Sequence, residues 1–184
     1  MSLVKKCIPD AYYASIFDIP YDDLKRQGIK ALFFDLDNTL IGYDQDGLSK
    51  REFDFIDHLE QDFRVVIMSN SGFKRVSSAL QDRHETFIWH AKKPLRSGFK
   101  KALEYSHTSL DHAVMIGDQL MTDVFGAKRT GIKAILVGSV KRSSDRKLTK
   151  MNRKIEAFVL KKIKKKYPEL YEERLALYVS QHAL

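Results

Sequence analysis

Cysteine is nearly missing from this chain. Cys7 is the single one among 184 residues, which excludes an internal disulfide framework and fits a reducing compartment. No motif surrounds it, so it reads as a small buried or incidental thiol rather than a nucleophile. No stretch approaches the roughly 18 consecutive apolar residues of a membrane-spanning helix. The opening Met1-Ser2-Leu3-Val4-Lys5-Lys6-Cys7-Ile8-Pro9-Asp10 is interrupted by charge and proline before a long apolar run develops, so it does not read as a signal peptide. Internal repeats and low-complexity tracts are missing apart from a lysine-rich tail. The expectation is a soluble, cytoplasmic protein.

Charge of one sign is also missing from most of the chain. Residues 1–140 hold 19 Lys+Arg and 19 Asp+Glu, whereas residues 141–184 hold 13 and 5, so the net +8 sits entirely in the tail. A body without net charge argues against a general nucleic-acid binder, and no specific nucleic acid is expected; a basic terminal segment leaves a local anionic partner open. An apolar content of 43% suits one globular domain with a full core plus an appendage. The expected division is a core over 1–140, with an N-terminal extension over 1–29, and a basic helical extension over 141–184 packed on it. Oligomeric state is not readable.

What is present is an alternation. Short apolar runs, rich in Val, Ile and Phe, recur at Ala31–Phe34, Arg64–Met68, Thr86–Trp89, Ala113–Ile116 and Lys133–Val137, and stretches with helical periodicity lie near 48–61, 73–83, 95–106 and 121–130. Continuous apolar runs, rather than strict alternation, suit strands covered on both faces by crossover helices. The pattern predicts a three-layer α/β/α, Rossmann-like fold around a parallel five-stranded sheet.

In such sheets ligands bind beyond the carboxyl ends of the strands, so the polar residues at those ends are the ones to weigh. Asp35 and Asp37 follow the first strand, Ser69-Asn70-Ser71-Gly72 the second, His90-Ala91-Lys92-Lys93-Pro94 the third, and Gly117-Asp118 through Asp123 the fourth. Two carboxylates two residues apart at a strand end suggest metal-assisted chemistry, in which one attacks phosphorus and the other protonates the leaving group and later activates water. Each position also has a plainer reading. Asp-x-Asp can be a solvated turn, Ser69 a helix cap, and Asp118 and Asp123 turn and cap residues. Lys92 rivals Lys93. His58, His84, His90, His107 and His112 lack metal-ligand spacing, with His90 near enough to touch a substrate, and Trp89 is most simply core.

Taken together, these positions resemble the four motifs of the haloacid dehalogenase (HAD) superfamily of phosphotransferases: Asp35, Asp37 and Thr39; Ser69; Lys93 directly before proline; and Gly117, Asp118 and Asp123. The resemblance covers about residues 30–140. It implies a phosphomonoester hydrolase with Asp35 as nucleophile and Asp37 as acid and base. A Mg²⁺ ion would lie on Asp35, the Asp37 backbone carbonyl and Asp118, with Asp123 close by. Lys93 and Ser69, with backbone N–H groups near Asn70, would face the phosphoryl group, and Thr39 and Asn70 are candidate substrate contacts. An acid at position 37, where halide-displacing members have none and ion-pump members have Thr, implies rapid hydrolysis of the aspartyl-phosphate.

Only residues 38–47 separate Asp37 from the next helix, and 71–85 hold little more than one helix, so neither interval can hold a cap domain. Open sites in this superfamily favour large substrates such as proteins, nucleic acids or lipid head groups. The flanks, Pro9 through Ile19, Leu24, Gly28-Ile29-Lys30, Lys92-Lys93-Pro94 and the tail's Thr149, Asn152-Arg153 and Glu156, resemble the cap-less YqeG-like group. That resemblance implies phosphatidylglycerophosphate, a membrane lipid precursor, as substrate. The alternatives are a soluble phosphatase of nucleotides or sugar phosphates and a non-catalytic phosphate- or RNA-binding module. In the tail Met151, Ile155, Phe158, Val159 and Ile163 recur at helical spacing among Arg153, Lys154, Lys161, Lys162, Lys164, Lys165 and Lys166. Such a helix packs on the body with a solvated basic rim, lies peripherally on the inner membrane face, or does both, since a docked helix still presents lysines. A second short helix is expected over Glu169–Val179.

Overall fold

The computed structural model describes residues 2–81, 86–141 and 147–182, and within the last segment the side chains of 153–181. His84 and the side chains of Thr149, Met151 and Asn152 lie outside the described residues. The strands are β1 (Ala11–Tyr13), β2 (Ala31–Phe34), β3 (Arg64–Met68), β4 (Phe87–Ile88), β5 (Ala113–Gly117) and β6 (Lys133–Val137). They form one parallel sheet in the order β1-β6-β5-β2-β3-β4.

The helices are α1 (Tyr21–Arg26), α2 (Lys50–Leu59), α3 (Phe73–Leu80), α4 (Arg96–Tyr105), α5 (Phe125–Thr130), α6 (Lys147–Lys166), α7 (Pro168–Arg174) and α8 (Ala176–His182). Alternate residues of each strand feed two separate cores, as side chains on a strand must. Phe33, Val66, Met68, Met115, Ala134 and Leu136 pack with Phe99 and Ala102 of α4, Ala127 of α5, Leu160 and Ile163 of α6, and Tyr171 and Tyr178. Leu32, Phe34, Val65, Ile67, Val114, Ile116 and Val137 pack with Leu24 of α1, Phe53 and Ile56 of α2, and Val76 and Leu80 of α3. Full burial on both faces explains why these strands read as unbroken apolar runs, and the result is the expected three layers. Local signals set some helix ends. Ser49 and Glu52 form a reciprocal capping box at the start of α2, and α5 stops at Gly131, whose φ of +99° suits glycine.

Three details differ from the sequence reading. The sheet has six strands rather than five, because part of the expected N-terminal extension joins it as β1. Three half-buried residues are too short to register as an apolar run. They are fastened by Asp10, whose backbone N–H donates to the Ala134 carbonyl at 2.8 Å and whose carboxylate accepts from the Ala134 N–H at 2.8 Å and from Lys128 Nζ at 2.7 Å. The helix expected over 121–130 begins as a π-helical turn, Leu120–Val124, before α5. The last helix is two, α7 and α8, parted at Leu175. Leu175 and Tyr178 are both fully buried, and the break turns the second of them toward α6.

Among the described residues no helix is long and apolar enough to cross a membrane. The chain between β2 and α2 is loop, and that between β3 and α4 carries α3 and β4, so neither interval holds an inserted cap domain. The tail helix α6 turns Leu160 and Ile163 into the core and leaves Ile155 and Phe158 exposed.

Candidate active site

The central strand β2 ends at Phe34, and the Asp35 N–H continues its ladder by donating to the Ile116 carbonyl at 2.9 Å. That bond holds Asp35 at the carboxyl edge of the sheet, between the loops that follow β3 and β5. Lys93 arrives from beyond β4, where its backbone is clamped by Asn70. The Lys93 N–H donates to Asn70 Oδ1 at 2.8 Å, and Asn70 Nδ2 donates to the Lys93 carbonyl at 3.0 Å. The lysine side chain is thereby driven into the protein, where Nζ donates to Asp35 Oδ1 at 2.6 Å and to the Met68 carbonyl at 2.8 Å. It pairs with Asp123 Oδ1 at 2.8 Å. Two hydrogen bonds and one ion pair thus surround the ammonium. Lys92, its rival in the sequence, is exposed.

Thr39 bridges two of the motifs. Its hydroxyl donates to Asp35 Oδ2 at 3.3 Å and accepts from the Asp118 N–H at 3.0 Å. Thr39 is thus buried between the acids, and the Asn70 side chain is engaged with the Lys93 backbone; both expected substrate contacts hold other catalytic-site candidates in place. Asp37 faces a different set of partners. Its Oδ2 accepts from Ser71 Oγ at 2.7 Å and Ser69 Oγ at 3.2 Å, and its Oδ1 accepts from Arg75 Nε at 3.0 Å. Ser69 Oγ also accepts from the Ser71 N–H at 3.0 Å, fixing the loop after β3.

The remaining acids close the group. Asp118 and Asp123, both buried, each bring a carboxylate oxygen within 4.8 Å of one another and of Asp35. The carboxylate of Asp37 stands outside this trio. Burial pushes the Asp35 carboxyl well above the usual carboxylate range; Lys93 opposes the shift, and Asp123, Asp118 and Asp37 add to it. For Lys93 burial works against the charged form, but contact with Asp123 and Asp35 prevails and raises its pKa.

Three residues absent from the expected site join it. Ser71 and Arg75 bind Asp37, and Arg153 of α6 reaches Asp118, donating through Nη2 to Oδ2 and through Nη1 to the backbone carbonyl at 2.9 Å. Arg75 lies one helical turn beyond Ser71, a spacing without meaning until Asp37 is placed opposite it. One expectation falls the other way. Trp89 is 41% exposed rather than core, because it lies just past the end of edge strand β4 and packs edge-on against Phe73. His90 is exposed, and its N–H donates to the Ser71 carbonyl at 2.9 Å.

Comparison with known proteins agrees with this geometry. Residues 90–165 match the HAD-hydrolase-like family model. Over 172 residues, 93% of this chain and 99% of its relative, the sequence is 35% identical to a Bacillus subtilis protein named "Probable phosphatase YqeG". The chain belongs to the HAD phosphatases. A 44-residue stretch, 24% of this chain and 18% of the other, is 43% identical to the glyceraldehyde 3-phosphate phosphatase of Pyrococcus furiosus. A HAD-like hydrolase structure from Porphyromonas gingivalis shares the fold, with a TM-score of 0.52 and 15% identity over 70% of this chain and 98% of that one.

In this phosphatase the donor set suits a hard divalent cation, since three buried carboxylates converge and each offers an oxygen as its donor atom. The charge balance agrees. Five carboxylates, those of Asp35, Asp37, Asp118, Asp123 and Glu156, meet three cations, Lys93, Arg75 and Arg153, which leaves two negative charges in excess. A divalent cation would cancel that excess, so that a phosphoryl group would no longer meet a net negative site.

Gly117 permits the close approach of these groups. A Cβ at this position would stand 2.5 Å from both Cγ and Oδ2 of Asp123, so Gly117→Ala must displace that acid from Lys93. Turnover is expected to fall by about 10- to 100-fold with the fold retained. Near-normal hydrolysis in the variant would show that the position of Asp123 is unimportant.

Proposed function

We propose that this phosphatase hydrolyses phosphatidylglycerophosphate through an aspartyl-phosphate, with Mg²⁺ as its cation. The observation that carries the lipid reading is the rim of the site. Phe73 (54% exposed), Trp89 (41%) and Leu95 (51%) stand out beside the loops that carry Ser71 and Lys93, and exposed Lys74, Lys92, Arg96 and Lys100 lie among them. The stretch from Arg64 to Leu103 holds nine basic and two acidic residues. Arg75 and Lys93 of that count are engaged by Asp37, Asp35 and Asp123, and the exposed Lys74, Lys92, Arg96 and Lys100 give the rim its positive charge. Exposed aromatics among lysines suit the interface of an anionic bilayer, each basic residue adding about 1 kcal/mol. The exposed face of α6, Ile155 and Phe158 among Lys154, Lys161 and Lys162, offers a second peripheral contact. Such contacts support a peripheral position for the enzyme on the cytoplasmic face of a membrane.

In the proposed reaction an Asp35 oxygen bonds to phosphorus as the ester P–O bond breaks, and the departing alkoxide takes a proton from Asp37, which enters the cycle as the carboxylic acid. Asp37 then accepts a proton from water as the water oxygen bonds to phosphorus and the Asp35–phosphorus bond breaks, releasing inorganic phosphate. Ser69, Ser71 and Arg75 hold Asp37 in one orientation through both steps. Lys93 orients Asp35. A cation held by Asp35, Asp118 and Asp123 supplies charge compensation for the phosphoryl oxygens.

Phosphate release with Mg²⁺ from phosphatidylglycerophosphate in mixed micelles, compared with nucleotide and sugar phosphates, tests the substrate. A preference of about 100-fold or more for the lipid, about 3 kcal/mol in transition-state binding, is expected; equal turnover of soluble esters would favour a soluble phosphatase. Phe73→Ala with Trp89→Ala is expected to lower turnover on phosphatidylglycerol-containing vesicles by about tenfold while sparing p-nitrophenyl phosphate. Equal losses on both substrates would remove the rim from the argument.

A further inference from the structure

We infer that Arg153 selects the cation, by holding one oxygen of Asp118 so that this ligand meets a metal through a single oxygen. The inference rests on the proposed cation site and adds a residue from outside the four motifs.

Arg153 is 8% exposed, and its guanidinium lies against Asp118 as a fork. Nη2 donates to Oδ2 while Nη1 donates to the backbone carbonyl of the same residue at 2.9 Å. A two-point hold on side chain and backbone together fixes the rotation of the Asp118 carboxylate, which a single contact would not. The arginine is itself fixed. Nη1 lies 3.4 Å from Glu156 Oε2 and 3.2 Å from the Tyr178 hydroxyl, which in turn donates to Glu156 Oε1. Glu156 is 1% exposed and Tyr178 fully buried, so α6 and α8 converge on one guanidinium.

Glu156 also decides what kind of partner Arg153 is. A guanidinium shared between two carboxylates neutralises neither fully, so Asp118 keeps charge to offer a cation while losing the freedom to turn. The consequence is chemical. Ca²⁺ accepts both oxygens of one carboxylate in a large, irregular shell, whereas Mg²⁺ requires near-octahedral single-oxygen donors. With Oδ2 engaged by Arg153, Asp118 suits the smaller ion. The C-terminal extension is thereby a working part of the catalytic centre.

The test uses the full chain, stripped of metal with a chelator and then titrated separately with Mg²⁺ and Ca²⁺, the readouts being the thermal unfolding shift and calorimetric binding. R153M should raise the affinity for Ca²⁺ relative to Mg²⁺ by about tenfold. R153K keeps the buried charge, and with it the fold, but loses the fork; a shift of several-fold in the same direction is expected. Circular dichroism checks that each variant is native. A native R153M or R153K with the wild-type Mg²⁺/Ca²⁺ ratio overturns the inference while leaving the cation site standing. A wild type that responds to neither ion overturns both.

Discussion

Replacing Lys93 with Met should destabilise the protein by about 3–5 kcal/mol near neutral pH, the usual cost of stripping one partner from buried charges. Lys93 Nζ serves Asp35, Asp123 and the Met68 carbonyl at 2.6–2.8 Å, and both aspartates are buried. Methionine fills the space and leaves two carboxylates and a carbonyl without their cation. The pH dependence has a definite sign. Burial first of all, with Asp123, Asp118 and Asp37, raises the folded pKa of Asp35, and Lys93 is the influence that lowers it. Without Lys93 that pKa rises further above the unfolded value of about 4. The folded variant then binds more protons than the unfolded chain at intermediate pH, so its stability increases as pH falls from neutrality toward the unfolded value. Urea midpoints at about pH 7.5 and about pH 5.5 should therefore draw K93M toward wild type in acid, with turnover lost at both. A K93M protein as stable as wild type at the higher pH would mean that the ammonium does not compensate these acids.

Asp35→Asn is expected to reduce turnover on the order of 10³-fold or more, at least about 4 kcal/mol of transition-state stabilisation, because an amide oxygen is a poor nucleophile and forms no stable acyl phosphate. The fold should survive. Asparagine has the same shape, its Oδ1 can still accept from Lys93, and a buried carboxylate disfavoured by its surroundings is gone. Phosphate release read beside circular dichroism checks both halves. A folded variant with more than about a tenth of wild-type turnover would exclude Asp35 as the nucleophile.

The readability of this chain followed physical range. Strands β2, β3, β5 and β6 were legible because burial on both faces writes an unbroken apolar run into the sequence itself, as at Ala31–Phe34. The acids were legible because a sheet with crossover helices gathers the residues at its strand ends, so Asp35, Lys93, Asp118 and Asp123 needed only to lie in the right loops. Strand β1 was not, since three half-buried residues make no pattern and are held by Asp10 from the side. Trp89 was misplaced because an aromatic at a strand end looks the same whether the next layer covers it or not. Arg153 carried a resemblance but no role; only docking of α6 brings it to Asp118, 35 positions away in the chain.

The sequence by itself determined the layered α/β class and which acids and lysines fall at the carboxyl ends of the strands, because these depend on periodicity and on order along the chain; the choice of Lys93 over Lys92 came from the family resemblance. The tertiary structure alone decided which cation each acid receives: Lys93 for Asp35 and Asp123, Arg75 for Asp37, Arg153 for Asp118. Charge pairing depends on distances of a few ångströms between side chains from separate helices and loops, and spacing in sequence does not encode which helix packs against which strand end.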